Sequence, residues 1–348
     1  MATLKDVAKK SGVAVGTASA VINNKPWVSE KTRQRVLQAI KELNYQPNQL
    51  ARNLRTQRTN TIGVIVPDIT NPFFPQIIRN IGALAHKYGY SIILCDSNED
   101  YQLGIEAFHV LLDKKVDGII LIGGVVPKRE LVKYLDKKHP LIVVIERDYG
   151  IPEIATVVVD AIKGGYLATK HLLDLGYNKI GIITGPLDDD DFYRGSFGRY
   201  EGYKKALKEY KISFNPEIVK QGDFSLNGGY KAMKQFLENN SQVQAIFAFN
   251  DLMAIGAMEA IKEKGLRIPE DIAVVGYDDI PEASYVFPTL TTIRLPKAQL
   301  GRMAVEILLN HTKKKPEFSI KKVLPLELIT RQSCGAPLKL KSNLKWRY

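Results

Sequence analysis

The chain has 348 residues, 45% of them hydrophobic and 25% charged, which is typical of a globular protein with more than one domain. No apolar run approaches the roughly 18 residues needed to cross a bilayer, and the N-terminal segment lacks the apolar core of a signal peptide. We therefore expect a cytoplasmic protein. Cys95 and Cys334 lie far apart in the sequence, so they predict neither a disulfide framework nor a metal site, and we expect no cofactor.

The net charge of +12 is concentrated at the two ends of the chain. Residues 1–60 contain eleven Lys and Arg but three Asp and Glu, and residues 339–348 contain four basic residues and no acidic one. The stretch between them is neutral overall. Because phosphate groups attract clustered Lys and Arg, we expect the N-terminal segment to meet a polyanion. For the short basic tail we favour disorder, the alternative being contact of its lysines with DNA.

Three short helices are predicted at the N-terminus. Thr3 and Asp6 form a capping-box pattern that begins the first helix, and a break around Gly12 separates it from a second helix over residues 14–22. Ser29 begins a third helix with an apolar face over 36–43. This order is the helix-turn-helix pattern, in which the second helix enters the major groove of DNA. Taken alone, the pattern fits a generic small helical bundle equally well.

A further helical stretch, over residues 47–55, is opened by Pro47 and followed by a polar linker at 56–60. Isolated helices shorter than about 12–15 residues are marginal in water, and this one has few apolar residues with which to dock elsewhere. We therefore expect it to form only when a second copy of the chain and DNA hold it in place. Such a conditional hinge favours a DNA-binding head over a generic bundle.

Residues 1–60 resemble the head of the LacI/GalR family of bacterial transcription regulators, most closely its purine-repressor-like members. The matching segments are residues 3–8, 21–23, 28–29, 32–33, 39–45, 47, 51–55 and 58–59. The resemblance continues to about Arg331. It implies a helix-turn-helix DNA-binding domain at 1–46, a hinge helix and linker at 47–60, and an effector-binding and dimerisation core at 61–338, which leaves the basic tail at 339–348.

The resemblance also assigns roles within the head. Val15, Gly16 and Ala20 occupy the base-reading positions of the recognition helix. Leu54 matches a leucine that is wedged into the minor groove, where it kinks the duplex. The predicted DNA-binding residues are Thr3, Val15, Gly16, Thr17, Ser19, Ala20, Asn23, Asn24, Leu54 and Arg55.

Two departures from the family pattern bear on DNA recognition. Ala14 stands where family heads usually have a serine that caps the recognition helix, and alanine cannot cap. The base-reading positions hold Val, Gly and Ala, which form no bidentate hydrogen bonds to bases, although Val and Ala can contact thymine methyl groups. We therefore expect operator recognition through methyl contacts, DNA shape and the kink at Leu54.

From Thr61 onward, short apolar runs alternate with amphipathic stretches. Strands are predicted at 62–66, 91–95, 118–122, 141–145 and 156–159, and a second set at 180–184, 218–221, 245–249 and 272–277. Alternating β and α elements predict parallel sheets with helices on both faces, and two such sets predict a ligand cleft between them. The expected fold is an all-α helix-turn-helix head joined by a hinge helix to an α/β core of two doubly wound parallel-sheet subdomains.

The resemblance implies that this core is periplasmic-binding-protein-like, with an N-subdomain at about 61–160 and 293–322 and a C-subdomain at about 161–292 and 323–338. Arg199 matches the family's effector-clamping arginine. Phe73 and Phe74 are expected to stack on a flat ring or on the apolar face of a sugar, the alternative being core aromatics. The candidate effector-binding residues are Phe73, Phe74, Arg147, Asp160, Arg199, Phe224, Asn250, Asp251 and Asp278.

The effector is expected to be a sugar or a sugar phosphate, with a purine co-repressor as the alternative. The sequence leaves open whether the effector acts as an inducer or as a co-repressor. Four consecutive aspartates at 188–191 match no family segment. They predict either a site for a cation or a basic group or, as we favour, a solvated loop rim.

No phosphate-binding glycine loop, zinc-protease motif or serine-hydrolase motif is present, so we predict no enzyme. A sugar-binding transport protein would explain only the core, and a small-molecule enzyme would explain neither the hinge nor Leu54. We therefore predict a repressor that binds a double-stranded operator as a homodimer and responds to a small molecule. The tail lacks sustained heptads, so we expect no tetramerising coiled coil.

Overall fold

The computed structural model describes residues 2–45, 58–135, 140–187, 194–238, 242–311 and 320–336. The chain divides into two compact units, Met1–Thr59 and Asn60–Tyr348, each with its own apolar core. Among the described residues, no helix combines the length and the hydropathy that a membrane span requires. The predicted hinge helix with Leu54 and Arg55, the aspartates at 188–191 and the tail at 339–348 lie outside the described residues.

The first unit contains, in its described part, the helices α1 (Leu4–Ser11), α2 (Val15–Ile22) and α3 (Glu30–Glu42). The predicted capping box begins α1: Thr3 Oγ1 accepts a hydrogen bond from the Asp6 amide at 3.3 Å, and Asp6 Oδ2 accepts one from the Thr3 amide at 2.8 Å. Gly12, with φ at 63°, ends the helix in the left-handed conformation. The three predicted helices of the head are therefore present.

Arg35 of α3 fastens the turn between α1 and α2. Its Nε donates a hydrogen bond to the Ser11 carbonyl at 3.1 Å, so the third helix holds the helix-turn-helix in shape. Val7, Val21 and Val36, one from each helix, are buried in a common core. These contacts give a head of three short helices a fixed geometry.

The described part of the second unit contains two six-stranded sheets. The strands of the first sheet are β1 (Thr61–Val66), β2 (Ser91–Asp96), β3 (Gly118–Ile122), β4 (Leu141–Ile145), β5 (Ala155–Val159) and β11 (Lys321–Leu324). Those of the second sheet are β6 (Ile180–Thr184), β7 (Val219–Gln221), β8 (Ala245–Ala248), β9 (Ala273–Asp278), β10 (Thr291–Arg294) and β12 (Glu327–Ile329). The helices of this unit are α4 (Phe73–Lys87), α5 (Tyr101–Asp113), α6 (Lys128–Val132), α7 (Ala161–Asp174), α8 (Arg194–Glu209), α9 (Leu226–Glu238), α10 (Asp251–Glu263) and α11 (Lys297–His311).

The strand order is β11-β5-β4-β3-β1-β2 in the first sheet and β12-β10-β9-β8-β6-β7 in the second. All neighbouring strands run parallel except β10 and β12. Every residue of β3, β4 and β6 is buried, as expected for central parallel strands that are covered on both faces. We refer to the two sheets with their helices as the first lobe and the second lobe.

The chain crosses between the lobes after β5, after β10 and after β11. Helix α11 packs against α4, β4 and β5 and therefore belongs to the first lobe. The last two crossings follow Arg294 and Leu324, slightly later than the predicted boundaries at 292/293 and 322/323. The sequence pattern did not predict β10, β11 and β12, because strands of three or four residues carry too little periodicity.

Candidate functional site

A cavity of about 120 Å³ lies between the two lobes, where the carboxyl ends of parallel strands from both sheets meet. The first lobe provides, after β1, β2, β3 and β4 respectively, Phe73, Glu99, Gly123 and Glu146. The second lobe provides, after β6, β7 and β8 and at the end of β9, Arg199, Phe224, Asn250 and Asp278. The cavity is thus a meeting point of segments that are distant in sequence.

Seven of the nine predicted effector residues line this cavity, namely Phe73, Phe74, Arg147, Arg199, Phe224, Asn250 and Asp278. The lining residues that the sequence argument missed are Pro67, Asn71, Glu99, Gly123, Gly124, Glu146 and Ser196. Glu146 and Asn71 stand beside predicted residues at strand ends, so a consistent use of the strand-end rule would have included them. Ser196 carried no such signal, because it follows the run of aspartates on a helix.

Three phenylalanine rings form the apolar part of the wall. The rings of Phe73 and Phe74 meet edge to face, with centroids 5.2 Å apart and planes at 74°. Phe224 comes from the opposite lobe, and its backbone carbonyl accepts a hydrogen bond from Asn250 Nδ2 at 2.7 Å. Because Asn250 Oδ1 also caps α10 by accepting the Met253 amide at 2.9 Å, Asn250 ties Phe224 to a helix terminus.

Two carboxyl groups, Glu146 from the first lobe and Asp278 from the second, interact with the guanidinium of Arg199. Burial raises the pKa of Glu146 to about 7, and the charge of Arg199 opposes this rise. Burial likewise raises the pKa of Asp278 to about 7, against the charges of Arg199 and Lys297. The Arg199 guanidinium lies 4.1 Å from the centre of the Tyr277 ring, and its Nε has no hydrogen-bond acceptor among the described residues. Arg199 is therefore half-buried and held against the Tyr277 ring, with donor capacity left for a ligand.

Strained backbone coincides with the cavity wall. Glu146, Phe224 and Asp278 have φ angles of 64°, 62° and 115°, although none of them is a glycine. Left-handed conformations of such residues are costly and persist where the surrounding structure enforces them, often at binding sites. Here all three strained residues follow or end a strand and line the cavity.

Two predicted effector residues, Asp160 and Asp251, do not line the cavity, and their assignment to the effector site stays a prediction. Asp160 is exposed at the start of α7, where its Oδ1 caps the helix by accepting the Lys163 amide at 2.9 Å. Asp251 is fully buried and accepts hydrogen bonds from the Ile280 amide at 2.8 Å and from Thr292 Oγ1 at 2.5 Å. Asp251 therefore fastens the loop after β9 to β10.

The start of α2 forms the candidate DNA-reading surface of the head. Val15 is 42% exposed, and a Cβ placed on the exposed Gly16 would meet no atom within 4 Å. As the sequence predicted, Ala14 supplies no side-chain cap, so the first amides of α2 are free of side-chain acceptors. Thr17 lies partly exposed on the next position of the same helix.

The remaining predicted head residues have local structural partners. Asn23 Nδ2 donates to the Ser19 carbonyl at 2.7 Å, and Asn24 Oδ1 accepts from Arg33 at 3.1 Å. Thr3 is engaged in the capping box. Ala20 is 6% exposed, and its methyl group packs in the apolar core of the head. Its assignment to base reading stays a prediction.

Comparison with known proteins bears on both sites. A model of bacterial regulatory proteins of the lacI family matches residues 3–48, and a model of a periplasmic binding protein-like domain matches residues 169–334. An HTH-type transcriptional repressor PurR of Haemophilus influenzae (strain PittEE) is 40% identical over 339 residues, which cover 96% of this chain and 98% of that protein. The chain belongs to the lacI family.

Other lacI-family proteins extend the comparison. The ribose operon repressor of Escherichia coli (strain K12) is 38% identical over 314 residues, covering 89% of this chain and 93% of that protein. A crystal structure of the lac repressor dimer bound to operator and the anti-inducer ONPF has a TM-score of 0.84 at 30% identity, covering 96% of this chain and 99% of that one. A LacI family transcriptional regulator from Enterococcus faecium with bound ribose has a TM-score of 0.70 at 33% identity, covering 78% and 98%.

Membership of the lacI family confirms the predicted fold class, a helix-turn-helix head with a periplasmic-binding-protein-like core. It also confirms the predicted function. The protein is a DNA-binding transcriptional repressor that is controlled by a small-molecule effector, and it is not an enzyme.

Proposed function

We propose that this lacI-family repressor responds to an uncharged monosaccharide, with D-ribose as the first candidate, bound in the cavity between the two lobes. The observation that carries the proposal is the make-up of the wall, in which guanidinium and carboxyl groups stand beside phenylalanine rings. Guanidinium N–H groups donate hydrogen bonds to sugar hydroxyls and carboxylates accept them, whereas aromatic rings pack against the apolar face of a sugar. The two relatives whose names include ribose support this candidate.

The proposal gives each cavity residue a role. Arg147, Arg199 and Asp278 bind hydroxyl groups, and Glu146 adds a further acceptor. The rings of Phe73, Phe74 and Phe224 cover the apolar faces, with Asn250 holding Phe224 in position.

The charges of the wall disfavour a sugar phosphate. The guanidinium groups of Arg147 and Arg199 stand beside three carboxyl groups, those of Glu99, Glu146 and Asp278. Burial raises the pKa of each carboxyl group to about 7, so at neutral pH they are about half ionised and leave little surplus positive charge in the wall. The carboxyl groups of Glu146 and Asp278 already interact with the positive charge of Arg199. Because a bound phosphate is stabilised by surplus positive charge, the uncharged sugar fits this wall better.

A purine co-repressor is the second candidate, and the 40% identity to a PurR repressor favours it. A planar base stacks best on a ring face, in offset-parallel geometry. Phe73 and Phe74 meet edge to face, so they do not form one flat platform. This geometry ranks the sugar above the purine.

Thermal unfolding of the full-length protein with D-ribose, ribose 5-phosphate or hypoxanthine distinguishes these candidates. A ligand at a hundredfold excess over its Kd stabilises the folded state by about 2.7 kcal/mol, which shifts Tm by several degrees. We expect the shift with D-ribose. A shift with hypoxanthine alone would transfer the assignment to a purine, and a shift with ribose 5-phosphate alone would overturn the charge argument.

We also propose that the protein binds a pseudopalindromic operator as a homodimer, with Val15, Gly16 and Thr17 facing the major groove. Leu54, outside the described residues, is assigned to the minor-groove wedge. Leu54→Ala should weaken operator binding at least about tenfold, since unstacking a base step has to be compensated by the inserted side chain. An unchanged operator Kd in a fluorescence-anisotropy titration would refute the assignment of Leu54 to the minor groove.

Exposed apolar side chains on the core support the homodimer. In the second lobe Tyr285 and Phe287 are 86% and 78% exposed, and in the first lobe Leu94 and Leu103 are partly exposed. Exposed aromatic side chains of this size are typical of interaction surfaces, and the lac repressor relative is a dimer. The double variant Tyr285→Ser/Phe287→Ser should shift the molar mass in light scattering from two copies towards one; an unchanged mass would place the interface elsewhere.

A further inference from the structure

Lys297 is a buried cation at an electrostatically unfavourable position. It is the first residue of α11, 7% exposed, on the segment by which the chain returns from the second lobe to the first. The N-terminus of a helix carries the positive end of the helix dipole, so a cation there is repelled. Burying a charge adds a desolvation cost. A lysine at this site therefore needs compensating contacts, and these contacts show what it holds.

The compensating contacts lie on the opposite lobe. Lys297 Nζ donates hydrogen bonds to the backbone carbonyl of Asp278 and, at 2.8 Å, to that of Asp279. Both residues have left-handed φ angles, 115° and 55°. Since α11 packs on the first lobe whereas β9 belongs to the second, these bonds link the lobes through the backbone that presents the Asp278 carboxyl group to the cavity.

The same ammonium group lies close to the other wall of the effector cavity. Nζ is 5.9 Å from the centre of the Phe73 ring, which the first lobe contributes. On its other side Lys297 lines a surface groove that is bordered by the crossing segments, including Pro296 and Pro325. Lys297 thus contacts both a ring that lines the effector cavity and the segments by which the chain crosses between the lobes.

We propose that Lys297 is a positioning residue that couples the arrangement of the two lobes to the Asp278 carboxyl group, and hence to the effector. A rotation between the lobes displaces α11 relative to the end of β9, so it either breaks the bonds of Lys297 or moves Asp278 away from the ligand. An effector bound to Asp278 then favours the arrangement in which these bonds are intact. This inference rests on the proposed effector cavity.

The inference predicts a specific loss in Lys297→Met, which keeps the length of the side chain but removes the charge. Define the coupling factor as the ratio of operator Kd values with and without saturating D-ribose. In the wild-type protein we expect a factor of roughly 5–150, the usual range for allosteric coupling. Lys297→Met should bring this factor below about 3 while operator binding without ligand stays near the wild-type value, whereas a merely structural residue would change both affinities together.

The experiment uses the full-length protein, an operator duplex selected from a random library, and fluorescence anisotropy. Lys297→Arg, which keeps the charge, should recover part of the coupling factor, and Lys264→Met, at an exposed lysine of the second lobe, should keep all of it. If Lys297→Met fails to fold, Lys297→Gln takes its place; its neutral, shorter side chain can keep at most one of the two carbonyl bonds, so it should also lower the coupling factor. A wild-type coupling factor in the neutral variant would overturn the inference.

A second measurement separates this inference from the assignment of the effector. Hydrogen exchange of the ligand-free protein should be faster in Lys297→Met than in the wild type over residues 276–281, because the backbone that Lys297 holds is released. Lys264→Met should leave that exchange unchanged. If D-ribose does not shift the Tm of the wild type, D-ribose is not the effector, but the faster hydrogen exchange in Lys297→Met still supports the role of Lys297. Unchanged hydrogen exchange in Lys297→Met would refute that role.

Discussion

Gly185 and Phe224 are fitted to each other at the edge of the effector cavity. A Cβ atom on Gly185 would lie 2.0 Å from the Phe224 ring, far inside van der Waals contact. Phe224 already has a strained backbone, with φ at 62°, and its carbonyl is bonded to Asn250. The absence of a side chain at 185 is therefore what lets the ring line the cavity.

Gly185→Ala should displace Phe224 and weaken D-ribose binding roughly tenfold, because overpacking typically costs about 1–3 kcal/mol. Isothermal titration calorimetry measures the change. Gly82→Ala is the matched control, since a Cβ there would meet only Ile92 at an ordinary 3.5 Å. Equal affinities of the two variants would contradict the fit between Gly185 and Phe224.

Asp278→Asn should stabilise the ligand-free protein at alkaline pH. Burial raises the pKa of Asp278 to about 7, so the folded state binds the proton more tightly than the unfolded state. The native state is then progressively penalised as pH rises from about 4 to 7. The asparagine variant has no carboxyl group to ionise at this buried position. Its Tm should therefore exceed the wild-type value by a few degrees at pH 8 but not at pH 4. It should also lose affinity for the effector.

Asp271→Asn should change the Tm in the opposite direction. Its hydrogen bonds with Arg267 lower the pKa of Asp271 to about 2, so its contribution is present at neutral pH and is lost as pH falls through that value. This exposed variant should be slightly less stable than the wild type at pH 7. A Tm difference of the same sign in the two variants would contradict the assignment of Asp278 to a desolvated site.

Asp251→Ala should behave differently from substitutions in the cavity. Removing the carboxyl group leaves the Ile280 amide and the Thr292 hydroxyl buried without their acceptor, at about 1–3 kcal/mol each. We expect a large fall in the free energy of unfolding, measured in urea. The folded fraction should still bind D-ribose with near wild-type enthalpy. Loss of ligand binding without loss of stability would show instead that Asp251 binds the effector.

The same substitution should have opposite effects at two glycines of the head. Gly16→Ala places a methyl group in open space on α2 and should stabilise the head by about 0.5–1 kcal/mol, through higher helix propensity. Gly12→Ala forces a side chain into a left-handed turn, with φ at 63° and Arg35 at 3.2 Å, and should destabilise it. Thermal unfolding followed by circular dichroism measures the change in Tm of each variant. A change of the same sign in both variants would contradict the geometry of the turn.

The sequence was most informative where local pattern and burial agree. Predominantly apolar runs predicted β3, β4 and β6 to the residue, and Thr3 with Asp6 predicted the start of α1. The short strands β10 to β12 escaped prediction because their place is set by pairing with distant strands. Here tertiary contacts, which periodicity does not encode, determine the structure.

The cavity was predicted only in part, for the same reason. Asp251 and Asp278 both stand at the end of a strand segment, and sequence pattern alone does not tell which carboxyl group faces the ligand. The hydrogen bond from Thr292 turns Asp251 inward, whereas the left-handed backbone of Asp278 places its carboxyl group at the cavity. Ala20 shows the same limit in the head, since its burial depends on packing against the other two helices.

Operator binding by the full-length protein, with and without D-ribose, tests most directly whether this protein is a sugar-controlled repressor. A library-selected duplex and a scrambled duplex of equal length are compared by fluorescence anisotropy at fixed salt. We expect a preference of at least about 10³ for the selected duplex, and a change of about fivefold or more in operator Kd when D-ribose is added. Equal affinity for both duplexes, with and without the sugar, would contradict this function.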